Sequence, residues 1–373
     1  MPIRSLQMAM LAAGAALLGM AQTNPARDAA IRATMSELSR EHRTYGQGDW
    51  NKWFEAQAPF RAELRTRISA VKRRTVKQPV AGAMDAELLK SKGELPWYVQ
   101  VPIPFITTDD MDGWLEQRNA ISVVSSIAKW FRKQNIDLIF VPVPTAMEVY
   151  SDRFVDSAPA DHPASPQLRK LLFEFLRNDV ETIDLLPAYL KAHQGAEPLY
   201  YRTDPHWTMR AQALAAHEIA NRLKRYDFVR QAGRGAPRFR TTDRRIEFKG
   251  FFNSLLTPEE QAGANHQYVL RQVATNDGKL HTAPEGSPIV IFGDSYSSYT
   301  EGILAGTSID GLVAAELNQP VSRVTVAGHS ADAVKEFMRD PDLRKTTRVA
   351  VWVIGMRTIA QDVWPTYNFP NIP

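Results

Sequence analysis

Four short apolar runs, at residues 136–143, 288–292, 321–326 and 349–354, stand out along the chain, each bounded by polar or turn-forming residues. Apart from 321–326, which reads Val-Ser-Arg-Val-Thr-Val, they do not alternate apolar with polar. Near-continuous apolar runs of this length predict strands covered on both faces, as in a parallel sheet. Between them, apolar positions recur at helical spacing over 121–133, 165–176, 209–225 and 331–337. In the third of these, Ala215, Ile219 and Leu223 make the inward stripe. Strands alternating with helices predict an α/β fold, a parallel sheet with helices on both faces. Residues 229–285 are rich in Gly, Arg, Thr and Asn and show little periodicity, which reads as a long insertion or an irregular β region.

The amino-terminal part has a different texture. Arg4 is followed by an apolar or small stretch over 8–20, and Gly19-Met20-Ala21 supplies the small residues at which a signal peptidase cuts. The stretch is shorter than the roughly 20 residues of a membrane span. Residues 1–21 therefore read as a cleaved export signal, with retention as an anchor the alternative. Residues 22–44 read as a loose lead-in with a short helix near 28–43, and the main domain is expected over 45–373. Over 61–77, Leu64, Ile68 and Val71 are set among Arg61, Arg65, Arg67, Lys72, Arg73, Arg74 and Lys77. This predicts an amphipathic basic helix, either a solvated face or a dock for anionic glycan or lipid headgroups.

Composition narrows the chemistry. The 373 residues are 44% apolar and 23% charged, an ordinary globular balance. A net charge of +4 is too small to argue for nucleic acid and suits an anionic partner. With no cysteine, disulfides, thiol catalysis and cysteine metal sites are excluded. Eight histidines are present, but none sits in a His-Glu-x-x-His spacing, so no metal is expected.

Two motifs carry reactive groups. Gly293-Asp294-Ser295 follows the run 288–292 directly, at the carboxyl end of a predicted strand, where open α/β sheets bind ligands. Gly293 permits a tight turn there, and the Ser295 hydroxyl and amide would face the cleft. Asp204-Pro205-His206-Trp207 is the rarer block. Pro205 biases Asp204 to an extended shape, from which the carboxylate can fold onto the imidazole two residues later and leave its far nitrogen free for a serine. Thr208 would cap the following helix. The alternatives are structural: a histidine satisfied by a turn-capping acid, and a serine that caps a helix. Further candidates cluster at the same sheet end. Gly328 is a second oxyanion donor, His329 is a rival base or part of a cap with Ser330, and Arg357 is a ligand for an anionic sugar or half of an ion pair.

These residues resemble the alginate O-acetyltransferase family, in its AlgJ and AlgX branch, with an SGNH-hydrolase-like domain. The resemblance rests on Asp204-x-His206-Trp207-Thr208 and Gly293-Asp294-Ser295-Tyr296-Ser297. Pro59-Phe60-Arg61, Val141-Pro142-Val143-Pro144 with Tyr150, and Val351-Trp352 through Arg357 add to it. It spans roughly residues 45–360. It implies a flavodoxin-like sheet, Ser295 as nucleophile, His206 as base and Asp204 as the group that orients it. The motifs run acid, histidine, serine, a circularly permuted order relative to ordinary SGNH esterases. Residues 142–146 depart from the pattern, reading Pro-Val-Pro-Thr-Ala where many relatives carry a charged residue. The chain's end soon after Trp364 favours the single-domain, AlgJ-like branch. The implied activity is acetyl transfer to hydroxyls of an exopolysaccharide in the periplasm, without a cofactor. A membrane-bound O-acyltransferase would supply the acetyl groups. An acetyl-esterase or a non-catalytic polysaccharide-assembly protein are the rival expectations.

Overall fold

A computed structural model describes residues 24–364 apart from 79–81, 102, 118, 160–161, 196, 265, 327–329 and 362–363. The expected export signal lies outside the described residues. In chain order the strands are β1 (Arg73–Gln78), β2 (Gly82–Lys90), β3 (Tyr98–Val101), β4 (Asp137–Val143), β5 (Glu181–Thr182), β6 (Phe239–Phe248), β7 (His266–Thr275), β8 (Ile289–Gly293), β9 (Ser322–Thr325) and β10 (Val349–Gly355). They form three sheets, β1-β2-β3, β5-β4-β10-β8-β9 and the ribbon β6-β7.

The four apolar runs are four of the five strands of the large sheet, and every pairing in it is parallel. Burial explains their composition: all seven residues of β10 and all five of β8 are buried. The register sets Phe140, Trp352 and Phe292 side by side across the sheet. Phe131 and Phe337, from the helices Ala120–Lys133 and Ser330–Arg339, stack on Phe292 at 5.7 and 6.0 Å. Phe175, from Pro166–Arg177, meets Phe140 edge-on at 5.1 Å. The fifth strand, β5, was not foreseen, because two residues leave no periodicity to read.

Three expectations change. The lead-in is a 22-residue helix, Pro25–Gly46, capped by Asn24 and packed into the domain through Leu38, which is fully buried. Its Glu41 shares the buried Arg169 with Asp184, at 2.9 and 2.6 Å, so the expected boundary at residue 45 falls inside a packed element. The basic helix ends at Ser69, and Arg73–Gln78 is strand β1, paired antiparallel with β2. The helical spacing of apolar residues stops at Val71, and the β-branched pair Thr75-Val76 fits a strand. Its cations are also largely engaged. Arg61 lies over the Phe54 ring and donates to the Phe54 carbonyl, Arg65 pairs with Asp109, and Arg74 grips Glu260 with both nitrogens. Finally, the region 229–285 contains a regular two-stranded ribbon of ten paired positions. Seven of the ten β6 residues are exposed, so no sustained apolar alternation marked it in the sequence.

The exit of β4 carries a titrating group. Thr145 and Glu148 form a reciprocal cap, with the Thr145 amide donating to Glu148 Oε2 at 2.8 Å. Burial pushes the Glu148 carboxyl up to about 7, against an ordinary 4.5. The unfolded chain therefore ionises it more readily than the folded one. Its protonated form is stable in the fold below about pH 4.5, and that contribution is lost as the pH rises through 7. Glu148→Gln keeps an oxygen for the Thr145 amide and removes the titration. Urea unfolding should show the variant gaining on wild type between pH 5 and pH 8, by up to about 3 kcal/mol. A pH-independent difference would contradict this.

Candidate functional site

Ser295 opens a single turn of 3-10 helix directly after β8. The turn is tied down by Asp294, whose Oδ1 accepts the Tyr296 amide at 2.9 Å and whose Oδ2 accepts the Gly355 amide at 3.2 Å. Burial raises the pKa of the Asp294 carboxyl, and these amide bonds oppose that rise. Two glycines make the close packing possible. A Cβ on Gly293 would lie 1.9 Å from the Val353 carbonyl oxygen, and one on Gly355 would lie 2.7 Å from the Tyr296 ring. The Ser295 amide makes no hydrogen bond to the described residues, which leaves it available at the head of the turn.

The Asp204 block is bound to this turn by reciprocal contacts. Trp207, fully buried, donates its indole N–H to the Tyr296 carbonyl at 3.1 Å, and the Tyr296 hydroxyl donates to the Pro205 carbonyl at 2.7 Å. The Tyr201 amide bonds the His206 carbonyl at 3.1 Å and the Thr208 amide bonds the Leu199 carbonyl at 2.9 Å, so the block is the return arm of a tight chain reversal. Thr208 does precede the helix Met209–Leu223, but its hydroxyl donates to the Pro198 carbonyl and makes no cap. Ala215, Ile219 and Leu223 are fully buried on that helix, as expected.

The two blocks meet where the sequence required. His206 Nε2 lies 2.8 Å from Ser295 Oγ, and His206 Nδ1 lies 2.7 Å from Asp204 Oδ1. The imidazole is 13% exposed and the carboxylate not at all. Asp204 is unusually well held. Its Oδ1 also accepts the His206 amide at 2.9 Å, and its Oδ2 accepts the Phe251 amide at 2.8 Å and the Tyr299 hydroxyl. Four donors on one buried carboxylate fix its plane and, through it, the ring of His206.

Tyr299 and the segment Gly250-Phe251 were not singled out by sequence reasoning. Tyr299 stacks on the His206 ring at 3.6 Å and 9° while its hydroxyl reaches Asp204. Burial, and then the neighbouring Asp204 carboxylate, push the Tyr299 phenol well above its ordinary pKa, so it stays a donor. Its place four residues after Ser295 was the available signal. Gly250 had none: a Cβ there would lie 2.3 Å from the Thr203 carbonyl oxygen, and only glycine lets the Phe251 amide come so close to Asp204. Tyr299→Phe keeps the stacked ring and deletes one bond to a buried charge, an interaction of about 1.5–3 kcal/mol. We expect roughly tenfold slower acyl turnover with an unchanged circular dichroism spectrum. Turnover equal to wild type would contradict a positioning role for this hydroxyl.

The remaining candidates part company. Gly293 is held inside the sheet, opposite Val353 and Thr325, and its carbonyl accepts the Val326 amide at 3.1 Å. Gly328 and His329 lie outside the described residues, and nothing of the Ser330 side chain is described. Arg357 is the second residue of the helix Met356–Gln361, which follows β10, and donates to Gln100 Oε1 at 3.0 Å. It lines an apolar pocket beside the motif with Trp97, Tyr98, Met147, Phe252 and Tyr296. No cluster of three or more metal-ligating side chains occurs among the described residues.

An acid, an imidazole and an alcohol in line at the carboxyl end of a parallel sheet define the class as an SGNH-hydrolase-like domain. Residues 108–355 match the family described as "SGNH hydrolase-like domain, acetyltransferase AlgX", and the chain belongs to that family. It is 22% identical over 198 residues to the probable alginate O-acetylase AlgJ of Azotobacter vinelandii. That overlap is 50% of this chain and 49% of the relative, so the chain spans about half the length of the curated protein it matches. The O-acetyltransferase domain of Pseudomonas putida AlgJ superposes with a TM-score of 0.56 at 16% identity, over 74% of this chain and 92% of that one. Pseudomonas aeruginosa AlgX gives 0.52 at 15%, over 74% and 64%. These two likenesses establish the shared fold.

Proposed function

We propose that the protein is a serine-dependent O-acetyltransferase acting on hydroxyls of an exopolysaccharide, with Ser295 as nucleophile, His206 as base and Asp204 as the group that orients the base. The observation that carries this reading is the unbroken line of hydrogen bonds from Ser295 Oγ through His206 to Asp204, at 2.8 and 2.7 Å. Family membership supports acetyl as the group moved.

The chemistry runs in two halves. The Ser295 proton passes to His206 Nε2 as Oγ bonds to the acetyl carbonyl carbon. His206 returns that proton to the leaving group, whose bond to the acetyl carbon breaks. A sugar hydroxyl then takes the donor's place, gives its proton to Nε2 and attacks the acetyl-enzyme. The ester to Oγ breaks, and Ser295 recovers its proton from the imidazole. The free Ser295 amide is suited to bond the oxyanion in both halves. The carboxylate of Asp204 accepts from Nδ1–H throughout and stabilises the imidazolium.

The apolar stretch of residues 8–20 and the small residues before position 22 favour export to the periplasm. There a membrane-bound O-acyltransferase would supply acetyl groups. Among the described residues, no helix is long and apolar enough to cross a membrane. The test is to incubate purified protein with an activated acetyl ester, with and without an acceptor oligosaccharide. Acetylated sugar that forms only with intact Ser295 is the expected product. Free acetate with unmodified sugar would replace transfer by ester hydrolysis.

A further inference from the structure

Where the cations of this chain are free is not where the sequence pattern suggested. The basic stretch near residue 70 is largely engaged in internal contacts. Ribbon strand β6 and its flanks are not. Between residues 234 and 249 stand Arg234, Arg238, Arg240, Arg244, Arg245 and Lys249, all exposed. The same stretch holds two carboxylates, Asp243 and Glu247, and Asp243 is taken by Arg271 of β7 at 2.8 Å. Six cations against two acids is a surplus equal to the net charge of the entire chain, +4. Among the described residues, none of the six side chains makes an ion pair, and Arg244 makes one long hydrogen bond, to Gln272 at 3.3 Å.

The strip has a direction. Among the described residues, strand β6 pairs only with β7, so its other edge is the edge of the ribbon. Ten residues of antiparallel strand extend about 30 Å. Its carboxyl end leads straight to the candidate site. The Phe248 ring lies 6.2 Å from the Tyr299 ring, the Gly250 amide bonds Thr203 Oγ1 at 3.1 Å, and the Phe251 amide bonds Asp204. Phe251 itself is 59% exposed at that junction. The cations alternate in facing, with Arg240 and Arg244 on one side of the strand and Arg245 and Lys249 on the other. A flat surface such as a membrane would meet one side at a time. A narrow chain lying along the edge meets both.

We propose that the outer edge of β6 is a docking track for a linear polyanion, a glycan carrying carboxylate, sulfate or phosphate groups, which it leads toward Ser295. This rests on the polysaccharide-acceptor reading above and adds where on the molecule the acceptor is held. Attraction of this kind acts along the whole strip, and salt weakens it steeply as counterions compete.

The experiment reads binding without turnover, so it fails or succeeds independently of the acetyl-transfer assay. Fluorescence anisotropy compares a labelled polyuronate oligomer, a neutral glucan of equal length and vesicles containing anionic lipid. The proteins are wild type, an Arg240→Gln/Arg244→Gln/Arg245→Gln variant and the matching triple Lys variant. Wild type should bind the polyuronate and not the glucan, with affinity falling as salt is raised. The Gln variant should bind at least tenfold more weakly, and the Lys variant should recover most of the affinity. Equal binding by the Gln variant, equal binding of the neutral glucan, or arginine-dependent binding of vesicles without binding of polyuronate would each overturn the proposal.

Discussion

Replacing Ser295 by alanine should remove acyl turnover, by roughly 10³-fold or more with an activated acetyl ester as donor. The substitution deletes the atom to which the acetyl group would bond and leaves the rest of the turn in place. That turn is held by Asp294, which accepts the Tyr296 amide at 2.9 Å, and by the Ser297 amide, which bonds the Asp294 carbonyl at 3.0 Å. The Ser295 hydroxyl itself bonds only His206 among the described residues. Stability should therefore change by less than about 1 kcal/mol, as for a partly exposed side chain outside the core. Unfolding and turnover measured on one preparation separate the two effects. An alanine variant that folds normally and still turns over the ester within a few-fold of wild type would show that another group is acylated.

Asp204→Asn should be nearly as damaging, for a different reason. The two oxygens of the carboxylate receive four donors: the His206 ring, the His206 amide, the Phe251 amide and the Tyr299 hydroxyl. An asparagine has one oxygen and places its NH2 against one pair of those donors. If the NH2 faces Phe251 and Tyr299, a buried amide loses its acceptor, at a cost of about 1–3 kcal/mol. If it faces His206, Nδ1 must accept, Nε2 carries the proton, and the imidazole cannot take one from Ser295. In either case the imidazolium loses its counter-charge. A fall of roughly 10²- to 10⁴-fold in kcat is expected, accompanied by measurable destabilisation in urea. Turnover within threefold of wild type would mean that the carboxylate serves only to close the turn.

The parallel sheet was legible because burial on both faces writes itself as uninterrupted apolar runs, as in Val349–Gly355. The Asp204, His206 and Ser295 constellation was legible because each block carries its chemistry locally, and the proximity of the blocks is set by Trp207 and Tyr296 within the same motifs. What stayed hidden depends on contacts distant in sequence. Gly250 matters through Thr203, and Tyr299 matters through a carboxylate 95 residues earlier. Strand β6 was silent for the opposite reason: seven of its ten residues are exposed, its three half-buried apolar residues Phe239, Ile246 and Phe248 are too few to set a pattern, and its pairing with β7 reveals it. The helix Pro25–Gly46 read as a lead-in because its buried positions are few, Ile31, Thr34, Leu38 and Gly46, and its anchor is the ion pair from Glu41 to Arg169.

The central claim is that an acetyl group is carried on one particular alcohol. It is tested most directly by mixing the protein with an activated acetyl ester, quenching within the first turnovers and mapping the added mass by peptide mass spectrometry. The account predicts one acetyl group on the peptide containing Ser295, absent from Ser295→Ala and discharged when an acceptor glycan is added before the quench. An acetyl group found on a different residue, or found equally in the alanine variant, would contradict it.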